Sequence, residues 1–187
     1  SSKIIAESIN ASCKIDSLIT VLDSINQKNE KVIIFAITKA IQYYLAFVLG
    51  DRFSMSIDIV NGDTKAVSTV KNSQTRKTIL ADFEAKPGFN IIIMSPVAAG
   101  VGLTVVGANN VVHLERHWNP AKEAQATDRV YRIGQEKDVN VYLPIAAHPT
   151  ISSFDRQLAK LLQKKTNLSD AVVVQPEMSG ELVDMMG

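Results

Sequence analysis

The sequence predicts an α/β fold with a mainly parallel sheet, and three observations predict it. Short, nearly continuous apolar runs, of the kind found in strands buried on both faces, alternate along the chain with segments whose apolar residues recur at helical spacing. Helix-starting and helix-stopping residues fall between these segments. The 187 residues hold no internal repeat or low-complexity linker, so one core accounts for most of the chain. Strands alternating with helices pair in parallel, and ligands in such folds sit at the carboxyl ends of the strands.

The elements follow in order. Ile15, Leu18, Ile19, Leu22 and Ile25 predict an amphipathic helix over about 12–29. Lys31 to Ala36 reads as a buried strand. Thr38 can cap the next helix, whose inner face is Ile41, Tyr44, Leu45, Val48 and Leu49. Met55 to Val60 reads as a second strand and Asn61 to Ser73 as a polar loop. Ile79, Leu80 and Phe83 mark a helix that Pro87-Gly88 stops. Phe89 to Met94 and Asn110 to Leu114 are further buried strands. Asn119-Pro120 opens a helix, with a capping side chain before a proline at the first helical position, and Gly134 suits its other end. Val139 to Ile145 is another strand. Ile151, Phe154, Leu158, Leu161 and Leu162 mark a last helix, and from about Val174 the sequence predicts little order. The expected organisation is a main domain over 1–148, with a helical extension and tail over 149–187.

Composition excludes several classes. A net charge of +1 is too small for a dedicated DNA-coating protein, so nucleic-acid contact must come from a local patch. One cysteine, Cys13, allows no internal disulfide, and His113, His117 and His148 offer no zinc spacing. No apolar run approaches the roughly 18 residues of a membrane span. The start, Ser1-Ser2-Lys3, is not a signal peptide, and without an initiator methionine it reads as a cut inside a longer protein. An intracellular setting is expected.

Two segments carry candidate chemistry. Ser95 to Gly107 is glycine-rich and follows a buried strand. Its glycines allow close approach to a phosphate or a tight loop. A dinucleotide-binding loop would need a crossover helix before the next strand, and little chain is left for one. The segment also reads as a tight packing loop. Gln125, Arg129 and Arg132, at i, i+4 and i+7, form one stripe on the helix opened by Asn119-Pro120. Such a stripe is either a solvated face or a polyphosphate grip. Guanidinium forks bind phosphate oxygens bidentately and stay charged. An arginine finger of this kind neutralises charge on a transferring γ-phosphate.

The run Gln125-Ala126-Thr127-Asp128-Arg129-Val130-Tyr131-Arg132-Ile133-Gly134-Gln135 resembles the last helicase motif of the SWI/SNF family of superfamily 2. His117-Trp118-Asn119-Pro120-Ala121-Lys122-Glu123 is similar to the family's Trp-Asn-Pro segment. Lys31 to Phe35, Val60 to Thr64 and Ser95 to Gly107 resemble earlier family motifs, in the right order. The resemblance covers about Lys14 to Ala171 and implies a three-layer RecA-like lobe with a C-terminal helical extension. It implies the second of two lobes that clamp ATP with Mg²⁺ and step along double-stranded DNA. Arg129 and Arg132 then map to the arginine fingers. Gln125, Asp128, Gly100 and Gly102 map to the nucleotide side. Thr38, Gly62, Thr64, Ser95 and Thr104 are candidate contacts to the phosphate backbone, which grip without reading sequence.

The chain departs from the family pattern at Ala36-Ile37-Thr38, Val97, Ala99 and Thr104, which bears on how strongly this lobe holds DNA. The loop after Gly62, with Lys65 and Lys71, is either an extra backbone contact or a solvated loop. Arg156, Lys160, Lys164 and Lys165 are either a solvated helix face or part of a brace on the first lobe, and Trp118 is either a functional aromatic or a packing anchor. No GxxxxGK[ST] loop and no Asp-Glu pair after a strand occur, so the phosphate cradle and magnesium ligands are expected on an N-terminal lobe of the same polypeptide. The expected function is an ATP-dependent, DNA-stimulated motor half, inactive alone, with no metal site of its own and no membrane partner. Two alternatives stand beside it: a non-catalytic nucleic-acid-binding or interaction module with the same fold, and an RNA motor, against which Gln135 argues. The Trp-Asn-Pro-Ala-x-Glu run is more bacterial than eukaryotic, and with the intracellular setting the expected location is a bacterial cytoplasm.

Overall fold

Strand β1 (Lys31–Phe35) lies at the centre of a five-stranded sheet, with β2 (Asp58–Val60), β3 (Asn90–Met94), β4 (Asn110–His113) and β5 (Asn140–Tyr142) around it in the order β2-β3-β1-β4-β5. Every pairing is parallel. The computed structural model describes residues 13–65, 75–99, 105, 107–128, 137–147, 150 and 152–173. The chain divides into two units, Ser1–Ala146 and Ala147–Gly187.

In the first unit the helices are α1 (Cys13–Gln27), α2 (Lys39–Phe53), α3 (Arg76–Ala85), α4 (Pro96–Ala99) and α5 (Pro120–Asp128). Successive side chains in a strand point to opposite faces, and that alternation sorts the core. Val32, Ile34, Ile91, Ile93 and Val112 pack with Ile15, Leu18, Leu22 and Ile25 of α1 and with Leu45 and Leu49 of α2. Ile33, Phe35, Ile92, Met94 and Val111 pack on the other face with Ile79, Leu80 and Phe83 of α3, Ala98 and Ala99 of α4, and Ala126 of α5. The result is three layers, helix on sheet on helix. Both faces are covered, which is why the strands are nearly unbroken runs of Val and Ile.

The expected α/β fold with a parallel sheet is present, and the elements differ from expectation mainly at the sheet edges. Met55 to Val60 shortens to Asp58–Val60, and Val139 to Ile145 shortens to Asn140–Tyr142. Each is an outer strand with one neighbour, so only three residues of each are held in a ladder. Thr38 occupies the N-cap position of α2, but its side chain makes no cap bond, because it is engaged elsewhere. Asn119 does cap: its Oδ1 accepts from the Ala121 amide at 3.0 Å. Thr75 and Thr78 form a capping box on α3 that the periodicity did not reveal. At the turn before β3, Gly88 has φ +75, and a Cβ there would lie 2.7 Å from Asn29 Oδ1. Glycine therefore fits both the dihedral and the close approach.

The amino edge of the sheet is tied by a polar web. The Asn110 side-chain amide donates to Glu30 Oε2 at 3.0 Å and to the Lys31 carbonyl at 3.2 Å, and Asn140 Nδ2 donates to Asn110 Oδ1 at 3.3 Å. The Asn110 hydrogen bond holds the Glu30 carboxyl below its usual range.

In the second unit, α6 (Phe154–Val173) starts at Ser153, whose Oγ accepts from the Arg156 amide at 3.3 Å. Lys71, Gly134, Ile151 and the tail from Val174 lie outside the described residues. No helix among the described residues is long and apolar enough to cross a membrane.

Candidate functional site

The carboxyl edge of the sheet contains a point where the chain reverses its direction of travel. From β1 the chain leaves over the α2 face toward β2, and from the adjacent β4 it leaves over the α5 face toward β5. The two exits diverge, and the crevice between diverging neighbours is where open α/β sheets bind ligands.

Glu115 bridges that crevice. Its Oε2 accepts from the backbone amides of Ile37 and Thr38, each at 2.7 Å, and its Oε1 accepts from the Thr38 hydroxyl at 2.8 Å. On the other side of β1, Gln42 and Asn61 join the exit of β1 to that of β2. Gln42 Nε2 donates to the Ala36 carbonyl at 2.7 Å, Asn61 Nδ2 donates to Gln42 Oε1 at 2.8 Å, and Asn61 Oδ1 accepts from the Asp63 amide at 2.9 Å. Gln42 and Asn61 are buried, so these bonds satisfy polar groups that would otherwise be costly there. Thr64 Oγ1 donates to the Ile59 carbonyl at 3.2 Å. Ser95 starts α4, its Oγ accepting from the Ala98 amide at 3.1 Å. Gly62 is exposed, with open space where a Cβ would stand.

On the other side of the crevice α5 is held by buried polar contacts. His113, the last residue of β4, stacks on Phe35 at 5.0 Å between centroids and places Nε2 2.8 Å from Thr127 Oγ1. Its Nδ1 is buried without a partner, which favours the tautomer that donates from Nε2 and leaves only a lone pair unpaired. Arg116 Nε donates to Glu123 Oε1 at 3.0 Å, with both side chains largely buried. The His117 ring accepts from the Asn119 amide at 3.0 Å and stacks beside Trp118, which is 65% exposed.

Burial, reinforced by the nearby Arg116 charge, pushes the His113 imidazole down to about 4. The folded value lies below the unfolded one, so the neutral ring's contribution is complete above pH 6.5 and is lost as pH falls toward 4. Wild type is therefore expected to lose stability relative to His113→Asn across that window in thermal melts. A difference that does not change with pH would show that folding is not linked to this ring.

Of the residues singled out from sequence, Thr38, Gly62, Thr64 and Ser95 stand on the three neighbouring exits of β1, β2 and β3, and Gln125 and Asp128 lie exposed on α5. The short α4, which opens the glycine-rich segment, packs directly against α5. Gly100, Gly102, Thr104, Arg129 and Arg132 lie outside the described residues. Sequence reasoning missed Gln42, Asn61, His113, Glu115 and Glu123. Gln42 has a weak signal, since it stands i−3 and i−7 from Leu45 and Leu49, but apolar periodicity passes over a glutamine.

The sequence pattern of the helicase conserved C-terminal domain matches residues 13–134, from α1 through α5 and beyond. The chain belongs to this family. It is the C-terminal RecA-like lobe of an SNF2-family, superfamily 2 helicase-like protein. It is 45% identical over 152 residues to the Zorya protein ZorD of Escherichia coli O139:H28 (strain E24377A / ETEC), a match covering 81% of this chain and 14% of that protein. It is 32% identical to the putative ATP-dependent helicase/translocase YwqA of Bacillus subtilis (strain 168), over 91% of this chain and 17% of YwqA. The lobe thus spans about a sixth of these relatives' length. Among solved structures, the C-terminal part of the Fun30 ATPase domain superposes with a TM-score of 0.68 and 29% identity, over 81% of this chain and 46% of that one. The Sulfolobus solfataricus SWI2/SNF2 ATPase core in complex with dsDNA gives 0.64 and 26%, over 83% and 30%. Among the described residues no three His, Cys, Asp or Glu side chains gather to hold a metal ion.

Proposed function

We propose that this lobe is the arginine-bearing half of an ATP-dependent translocase or remodeller acting on double-stranded DNA. The observation that carries this reading is the contact of α4 with α5 at the carboxyl edge. It brings the start of the glycine-rich segment against the helix that leads into Arg129 and Arg132. In this reading those two guanidiniums meet the phosphates of ATP bound to an N-terminal lobe of the same polypeptide, with Gln125 and Asp128 at the nucleotide-facing surface. Magnesium, when bound with ATP, neutralises charge on the phosphates. In this reading its ligands are on the N-terminal lobe.

DNA would be held across the exits of β1, β2 and β3. The hydroxyls of Thr38 and Thr64 donate within the fold, whereas Ser95 Oγ only accepts there, so in this reading the Ser95 hydroxyl and backbone groups near Gly62 and Ser95 carry most of this contact. Such contacts are few, indifferent to sequence and weakened by salt.

The test is ATP turnover by the full-length parent with and without duplex DNA. DNA-stimulated turnover is expected of the parent, and no measurable turnover of the 187-residue chain alone, because arginines without a phosphate cradle cannot position the reaction. Robust hydrolysis by the chain alone would refute the division of labour. A parent indifferent to DNA would refute the motor reading.

A further inference from the structure

We propose that Glu115 is a positioning residue that couples the DNA-facing exit of β1 to the exit of β4, from which α5, the helix that precedes Arg129 and Arg132 in the chain, is held. This inference rests on the function proposed above. Four consecutive residues form the junction. His113 reaches Thr127 on α5 at 2.8 Å and Arg116 reaches Glu123 on α5 at 3.0 Å. Between them, Glu115 turns the other way and takes the Ile37 amide, the Thr38 amide and the Thr38 hydroxyl at 2.7, 2.7 and 2.8 Å. One short piece of backbone thus carries bonds to both sides of the crevice. A shift of the Ile37-Thr38 loop pulls on Glu115, and the same backbone bears on Thr127 and Glu123.

The chemistry requires a carboxylate. The three groups facing Glu115 all donate, and an ionised carboxylate only accepts, with two oxygens to meet them. The bonds are charge-assisted, which makes them shorter and stronger than neutral ones. The amides stand just before the first turn of α2, at the end where the helix dipole favours a negative charge. A glutamine would keep one acceptor and set an NH₂ group against a donor. Glu115→Gln therefore loosens the junction at nearly constant shape. The Gln42–Asn61 bonds extend the connection to the exit of β2, so the Gly62 loop is joined to the same chain of contacts.

The experiment measures ATP turnover by the full-length parent as a function of ATP and of duplex DNA, for wild type, Glu115→Gln, Thr38→Val and the double variant. For Glu115→Gln we expect basal turnover within about 2-fold of wild type, DNA-stimulated kcat lowered about 10-fold, and an unchanged KM for ATP. The double variant should be little worse than Glu115→Gln alone, because both changes break one junction. A purely structural staple would lower basal and stimulated turnover together, and that result overturns the inference. Undiminished stimulation, or full additivity in the double variant, overturns it as well. Should Glu115→Gln melt below the assay temperature, Thr38→Val alone decides. A stimulated kcat lowered about 3-fold at unchanged KM for ATP, with basal turnover lowered less, supports the inference, and an unchanged kcat or an equal fall in basal turnover overturns it. A wild-type parent with no response to DNA would instead overturn the function proposed above, and would leave the junction nothing to transmit.

Discussion

Replacing Arg132 with alanine in the full-length parent is expected to lower DNA-stimulated ATP turnover about 10³-fold with folding intact. The side chain stands seven residues after Gln125 in the run that carries the family resemblance, and a guanidinium there would face charge that builds up as the γ-phosphoryl group transfers. The loss should fall on kcat more than on the KM for ATP, because a finger acts mainly in the transition state. Arg132→Lys should recover only part of the activity, since an ammonium keeps the charge without the planar fork. Near-normal turnover by Arg132→Ala would mean that this arginine is surface charge, and the finger assignment would then fall. Matching circular-dichroism spectra and melting temperatures for mutant and wild type would establish that the loss is chemical.

The second large effect is on stability. Arg116 and Glu123 form an ion pair at 3.0 Å, with side-chain exposures of 18% and 8%, and Glu123 Oε2 is already buried without a partner. Arg116→Ala leaves a largely buried carboxylate without its counter-charge, at a cost of about 3–5 kcal/mol. In urea this should appear as a lower midpoint with an unchanged m-value. The paired replacement Arg116→Met with Glu123→Leu fills similar space without charge and should come within about 1 kcal/mol of wild type, or exceed it. If Arg116→Ala alone cost under about 1 kcal/mol, the pair would behave as a solvated surface bridge and would not be what seats α5. If the paired variant keeps its stability but loses turnover in the parent, then the ion pair serves geometry at α5 more than folding.

Strong, local signals were readable from the chain. Lys31 to Ala36, Phe89 to Met94 and Asn110 to Leu114 are runs of the kind found in strands covered on both faces, and they became the central strands. Asn119-Pro120 marked a helix start that the Asn119 cap bears out, because capping is settled within a few residues. Thr38 shows the limit of that reasoning. It stands where a cap belongs, yet its hydroxyl is taken by Glu115, 77 residues away. No local pattern announces that competition.

The sequence alone determined the class of fold, the order of its central elements and the family, because each rests on periodicity, caps and motif spacing, which are properties of neighbours along the chain. Only the tertiary structure decided that Gln42 and Asn61 are buried together, that Glu115 bridges the exits of β1 and β4, and that His113 and Arg116 hold α5 through Thr127 and Glu123. The physical reason is that a polar residue earns a buried position only through a partner, and the strand order β2-β3-β1-β4-β5 brings these partners together from far apart in the chain.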